Sequence, residues 1–247
     1  MSTMALKDQF LAISGRPPPW RPRAVEMQSS FARAGHGAVK LTLRSKDTFE
    51  AGQNGNADSE RDELLEAGNL TSKEDATYEY SWGMFIPTDF PIVPVRLVVA
   101  QRKQHCNGDS NPCSDDSPVP AGRYIGGILR ITQDINHENS VLYEEKRDLR
   151  LHWLDLRFEV CFMPRQTGRV KAWLDGQQVV DFAGVTANPK TATTGYTSPG
   201  FFYFKMGLYR NVTLQPMTIS LDEYRKRQIL KEHVAQLLPR QNPSSVP

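Results

Sequence analysis

The stretch Phe201-Phe202-Tyr203-Phe204-Lys205-Met206-Gly207-Leu208-Tyr209-Arg210 decides how this chain is read. With a period of two, Phe202, Phe204, Met206 and Leu208 fall on one face of a strand. Tyr203, Lys205, Gly207 and Tyr209 fall on the other. The apolar face fits the core side of a sheet. The polar face sets two phenols and an ammonium in a row, with a glycine that leaves space between them. A solvated strand face and a surface that holds an anionic, hydroxylated ligand and moves a proton are both consistent with that pattern.

The same alternation recurs along the chain. It covers Val39 to Arg44, Thr77 to Ile86, Arg96 to Lys103, Tyr124 to Thr132 and Leu154 to Phe162. Arg169 to Leu174 and Gln178 to Phe182 are joined through Asp175-Gly176, a hairpin signal. Many short strands without intervening helical patterns predict an all-β sandwich or jelly roll. Residues 1–23 read as a lead-in, with a short helix over Leu6 to Ile13 and an extended Arg16-to-Pro22 stretch. Residues 24–224 form the β domain, and 225–247 a C-terminal helix and tail. That helix is predicted over Leu221 to Leu238, with a disordered tail from Pro239 to Pro247. Two long polar loops, Thr48 to Asp58 and Cys106 to Pro120, have the length of functional or mobile segments.

The 247 residues suit one large all-β domain, with two small ones as the alternative. A net charge of +2 gives no overall field that favours nucleic acid, so attraction for anions must be local. No run approaches the roughly 18 apolar residues of a membrane span. Met1 to Phe10 has no apolar signal-peptide core, which leaves the compartment open. Cys161 reads as a buried thiol. Cys106 and Cys113 bracket a short loop and can pair in an oxidising compartment. A metal site is disfavoured because no second Cys or His pair completes a tetrahedral set.

Other segments add candidate chemistry. Gln101 sits where the strand Leu97 to Gln104 changes from apolar to polar, and it can donate to a carboxylate without carrying charge. In Ser59 to Glu66, Arg61 and Glu63 share a face. Arg61 can clamp a carboxylate in bidentate fashion, with Glu63 orienting it. Read alone, the segment is equally a surface charge run. His36 lies between Gly35 and Gly37, where a ligand can approach closely. His105, His137, His152 and His233 lack such settings. No nucleophile elbow, phosphate loop or His-Glu-x-x-His motif is present. Paired carboxylates for a retaining glycosidase exist by spacing, Asp155 with Glu159 and Asp62 with Glu60 or Glu66, but without an aromatic sugar platform.

Together these segments resemble polysaccharide lyases of the heparin lyase I, glucuronan lyase and alginate lyase type. Tyr203, Phe204, Lys205, Gly207 and Tyr209 resemble the family's Tyr-Phe-Lys-x-Gly-x-Tyr strand. Arg61-Asp62-Glu63-Leu64 resembles its Arg-x-Glu-Leu strand, and Gln101 occupies the place of its catalytic Gln. Tyr78 to Pro87 with Asp89-Phe90-Pro91 is similar to the heparin lyase I and glucuronan lyase branch. So is Trp153-Leu154-Asp155-Leu156 followed by Trp173-Leu174-Asp175-Gly176. Many alginate lyases have Gln-x-His where this chain has Gln101-Arg102-Lys103. The resemblance implies a concanavalin A-like jelly roll and β-elimination at a uronate, with glucuronan suiting the chain better than alginate. It implies catalytic roles for Tyr209, Gln101, Arg61, His36 and Lys205, with Lys205 stabilising the Tyr209 phenolate. Tyr203, Glu63, Lys103 and Arg210 are expected to bind an anionic polysaccharide, and no nucleic acid or membrane partner is expected. No cofactor is required, and the resemblance allows a structural calcium to which Asp222 could contribute. It also points to a secreted or periplasmic protein. The alternatives are a non-catalytic carbohydrate-binding jelly roll, or a lyase on alginate or heparin-like glycans.

Overall fold

The computed structural model describes residues 10–13, 25–45, 47, 59–105, 118–136, 138–189 and 200–230. The Arg16-to-Pro22 stretch, the Thr48-to-Asp58 loop, Cys106, Cys113, His137, His233 and the chain beyond Leu230 lie outside those residues.

Two antiparallel sheets face each other. Strands are numbered in chain order. The first sheet runs, in space, β1 (Phe10–Ile13), β4 (Ser59–Glu66), β14 (Phe201–Asn211), β7 (Leu97–Gln104), β8 (Ala121–Ile125), β9 (Ile128–Ile135) and β10 (Glu138–Glu145). A short β5 (Ser72–Lys73) pairs with the start of β14. The second sheet runs β13 (Gln177–Gly184), β12 (Gly168–Leu174), β11 (Trp153–Cys161), β6 (Thr77–Phe85), β15 (Met217–Ile229), β3 (Ala38–Leu43) and β2 (Val25–Gln28). The chain crosses between the sheets at β3–β4, β5–β6–β7, β10–β11 and β13–β14–β15, and runs as meanders within one sheet over β7 to β10 and β11 to β13.

The core forms where the inward faces meet. Phe202, Phe204, Met206 and Leu208 of β14 are fully buried, as the alternation predicts. Phe204 packs on Tyr80, Trp82 and Tyr224 of the second sheet, with ring centroids 5.2–5.5 Å apart. Phe202 stacks on Phe162 at 3.9 Å. Each such ring contributes roughly 1.5–3 kcal/mol by leaving water. A charged group, Arg102, is enclosed by the core's aromatic rings. Its guanidinium is surrounded by Tyr80, Phe158, Phe204 and Trp82 at 4.1–5.7 Å, held by cation–π attraction. Burial lowers its pKa to about 10.

Four expectations are corrected. Residues 217–229 form strand β15, and no helix begins at Leu221. Its register on β6 shifts between Asp222 and Arg225, with Glu223 at φ 53°. The bulge moves the inward positions from Leu221 to Tyr224, a spacing of three that imitates a helical period. The lead-in contributes strand Phe10–Ile13, paired with β4, where a helix over Leu6 to Ile13 was expected. Tyr124 to Thr132 is a hairpin, turned at Gly126 and Gly127 with φ of 61° and 83°. Cys161 is only half-buried, because the alternation of β11 turns it outward.

Candidate active site

The polar face of β14 lies on the outer surface of the first sheet. Its neighbours deliver the other candidates in register. Arg61 and Glu63 of β4 stand opposite Tyr209 and Gly207. On the other side, Gln101 and Lys103 of β7 stand opposite Lys205 and Tyr203. Adjacent strands are about 4.8 Å apart and residues about 3.3 Å apart along a strand, so the set spans about 20 Å along β14 and about 10 Å across the three strands.

Gln101 reaches that face through a bulge. Leu97 and Val99 belong to the core, and strict alternation would turn Gln101 inward as well. The β7 register slips between Val98 and Ala100, so both Val99 and Ala100 point inward and Gln101 points outward. There its amide donates to Glu63 Oε1, and Arg61 Nε lies 3.2 Å from Glu63 Oε2. Glu63 is fully buried and Gln101 nearly so. A buried carboxylate therefore fixes both groups that can meet a substrate carboxylate.

Tyr209 sits between two guanidinium groups. Arg61 from β4 lies 4.0 Å from the ring centroid, and Arg96, just before β7, lies 4.2 Å from it. Burial pushes the phenol's pKa up, but it is outweighed by the charges of Arg96 and Arg61 and by hydrogen bonds from Arg96 and Ser59. The net shift is downward. Tyr203 goes the other way. Burial and the Glu63 carboxylate raise its pKa, against the opposing charge of Arg61, and keep it a neutral phenol. Lys205 is 7% exposed, and burial, only partly offset by Glu63, lowers its pKa to about 8.

Three residues were missed by sequence reasoning. Arg96 precedes its strand and has no periodic partner in the sequence. Ser59 opposes Asn211 at the other end of the same face. Arg123 on β8 pairs with Val98 beside Tyr209; burial and the charge of Arg96 lower its pKa. Only the strand order, β4-β14-β7-β8, brings them together.

The structure removes two residues from the site. Arg210 is fully buried on the inward face, where its guanidinium pairs with Glu60 at 2.7–2.8 Å and donates to the Gln215 carbonyl. It is not positioned to touch a polymer. His36 lies exposed in the β2–β3 loop. That loop is anchored on the outer face of the second sheet, by Arg33 to Asp155 and Glu223 and by Phe31 stacked on Trp153. Tyr209 is on the other sheet. Lys103 is half-buried opposite Tyr203, a position that suits substrate contact. Gly207 also changes meaning. Its φ is 146°, and an added Cβ would lie 2.7 Å from the Glu63 Cα and 3.1 Å from Leu41. The glycine admits the backbone of β4, not a sugar.

The carboxylate pairs of a glycosidase are not assembled. Asp155 binds Arg33, Glu60 binds Arg210, and Glu66 accepts from Tyr224 and Lys226 in the core. A cavity of about 430 Å³ opens over Ser81, Gly83 and Trp173 on the second sheet, but the guanidinium of Arg157 covers the Trp173 face at 3.7 Å. The Asp222 carboxylate accepts from the backbone amides of Arg33, Ala34 and Glu223. No cluster of three or more His, Cys, Asp or Glu suited to a metal occurs among the described residues. No helix among the described residues is long and apolar enough to cross a membrane.

Several solved structures that share this sandwich are of enzymes acting on carbohydrates. The endo-β-1,4-glucuronan lyase of Trichoderma reesei superposes with a TM-score of 0.61 at 18% identity, over 82% of this chain and 85% of that one. An alginate lyase from Corynebacterium sp. gives 0.52 at 15%, over 78% and 77%. The catalytic domain of a glycoside hydrolase family 131 protein from Coprinopsis cinerea gives 0.54 at 14%, over 83% and 77%. At these identities the likeness is one of fold, and that fold carries more than one chemistry. No match to a curated protein was found. The reaction class comes from a family model described as polysaccharide lyase, which matches residues 5–230. The chain belongs to that family and is a polysaccharide lyase.

Proposed function

We propose that the chain cleaves a β-1,4-linked glucuronate polymer by β-elimination on the outer face of the first sheet, with Tyr209 as the proton-transfer group. The observation that carries this reading is the Tyr209 phenol held between Arg61 and Arg96, beside the Gln101–Glu63–Arg61 cluster. The shared sandwich of the Trichoderma reesei glucuronan lyase supports the choice of polymer.

The residues fit the chemistry of a uronate. Its C5 proton is weakly acidic, and removing it places negative charge on the carboxylate. Gln101 has a second amide N–H to meet that carboxylate, and Arg61 and Lys205 supply positive charge in a site largely closed to water. The Tyr209 phenolate takes the C5 proton, and the C–H electrons become the C4–C5 double bond as the C4–O4 bond breaks. In a glucuronate the proton and O4 leave from the same side, so the Tyr209 hydroxyl returns its proton to O4. A free phenol titrates near about 10, and the two guanidinium groups bring it closer to use. β4, β7 and β14 contain no histidine, which does not favour the Gln-x-His arrangement of many alginate lyases.

The product's double bond is conjugated to the carboxylate and absorbs in the ultraviolet. Glucuronan, alginate, heparin and hyaluronan are each mixed with the protein, and glucuronan is expected to give that absorbance. Tyr209→Phe should fold normally and lose roughly 10²–10⁴-fold in turnover. Near-normal turnover in that variant sinks the assignment. Binding without absorbance on all four polymers would instead favour a carbohydrate-binding role for this face.

A further inference from the structure

Lys205 is the cation that the sequence places near Tyr209, four residues away on the same strand face. The structure puts two others nearer. Arg61 approaches the ring from β4 and Arg96 from the β7 side, at 4.0 and 4.2 Å from its centroid. Arg96 is itself held, with Nε donating to Asn211 Oδ1 at 2.9 Å and its carbonyl accepting from the Asn211 amide at 3.0 Å. An imidazole is out of reach among the described residues. His105 lies one residue past β7, seven positions from Val98, which opposes Tyr209. At about 3.3 Å per residue that is roughly 23 Å.

We propose that Arg96 is a positioning residue for proton transfer: with Arg61 it clamps the Tyr209 ring between two guanidinium groups, so that the phenol serves as base. The inference rests on the reading of Tyr209 as the proton-transfer group. The phenolate gains attraction from both guanidinium groups, while the neutral ring keeps only the weaker cation–π contact. The other charged groups around the phenol are Glu63 on β4, Arg123 on β8 with Asp134 beyond it, and Lys205 on its own strand. None of these stacks on the ring, and Lys205 instead lies 5.5 Å from the Tyr203 centroid.

The test titrates Tyr209 without substrate, by tyrosinate ultraviolet absorbance. The chain has eight tyrosines, so the spectrum of Tyr209→Phe is subtracted. In Arg96→Met the Tyr209 titration should move up by about one pH unit. The acid limb of the kcat/KM profile should move with it, about tenfold lower on that limb and recovering at high pH. Arg96→Lys keeps the charge but not the plane, and should fall between; it also serves if Arg96→Met unfolds. Both shifts together support the proposal. An unmoved titration in a folded variant overturns it and leaves the Tyr209 reading intact. A moved titration with an unmoved rate profile overturns it because the reading of Tyr209 has failed.

Discussion

Lys205 should reduce the stability of the fold, and Lys205→Met should restore it. The ammonium is 7% exposed, and burial brings its pKa from 10.5 to about 8. At about 1.36 kcal/mol per pH unit, that difference corresponds to about 3 kcal/mol lost by folding with the charge in place. Methionine keeps the unbranched stem and has no charge to desolvate. Glu63 keeps Arg61 and Gln101 as partners in the variant. At pH 7 the variant should be about 2–3 kcal/mol more stable, a melting rise of roughly 4–10 °C for a domain of this size. The sign of the pH dependence follows from a depressed lysine. Below about 8 both states of the wild type are protonated and the cost is complete. Between there and the ordinary lysine value of about 10.4 the unfolded chain binds the extra proton, so wild-type stability rises with pH. The gap between the two proteins should close across that window. Melting curves of both at pH 7 and pH 10 check this, and activity should fall at least about tenfold as the uronate loses a cation. A variant no more stable at pH 7, or a gap equally wide at pH 10, would refute the reasoning.

Two further predictions concern the scaffold. Gly207→Ala puts a Cβ against the β4 backbone at a φ of 146°, and should cost at least about 2 kcal/mol and disturb the Tyr209–Arg61 pairing; urea unfolding together with turnover reads both effects, and an unchanged midpoint would contradict the close approach. Arg210→Met alone strands the Glu60 carboxylate, both side chains being fully buried, and should cost about 3–5 kcal/mol. Adding Glu60→Leu should recover most of that in a double-mutant cycle, whereas additive losses would show that the two are not coupled.

The strands were legible because their side chains alternate locally. Thr77 to Phe85, Trp153 to Cys161 and Phe201 to Asn211 each carry apolar residues at every second position, and burial of that one face dictates the sheet. The Asp175-Gly176 hairpin was equally local: the two residues turn at φ of 50° and 81°. Where alternation breaks, the sequence misleads. The bulge in β15 imitates a helix, and the bulge in β7 hides the outward turn of Gln101.

By itself the sequence determined the sandwich and the chemistry of one strand face, because period-two burial and residue type are properties of a single segment. The order of strands belongs to the tertiary structure, and that order decided the site. Arg61 and Arg96 are 35 positions apart in sequence, yet they meet on one phenol because β4 and β7 flank β14. It also took Arg210 into the core and His36 to the opposite sheet. A guanidinium or an imidazole reads the same in sequence whether it meets water, a buried carboxylate or a tyrosine ring. Only the packing of neighbouring strands fixes which it meets.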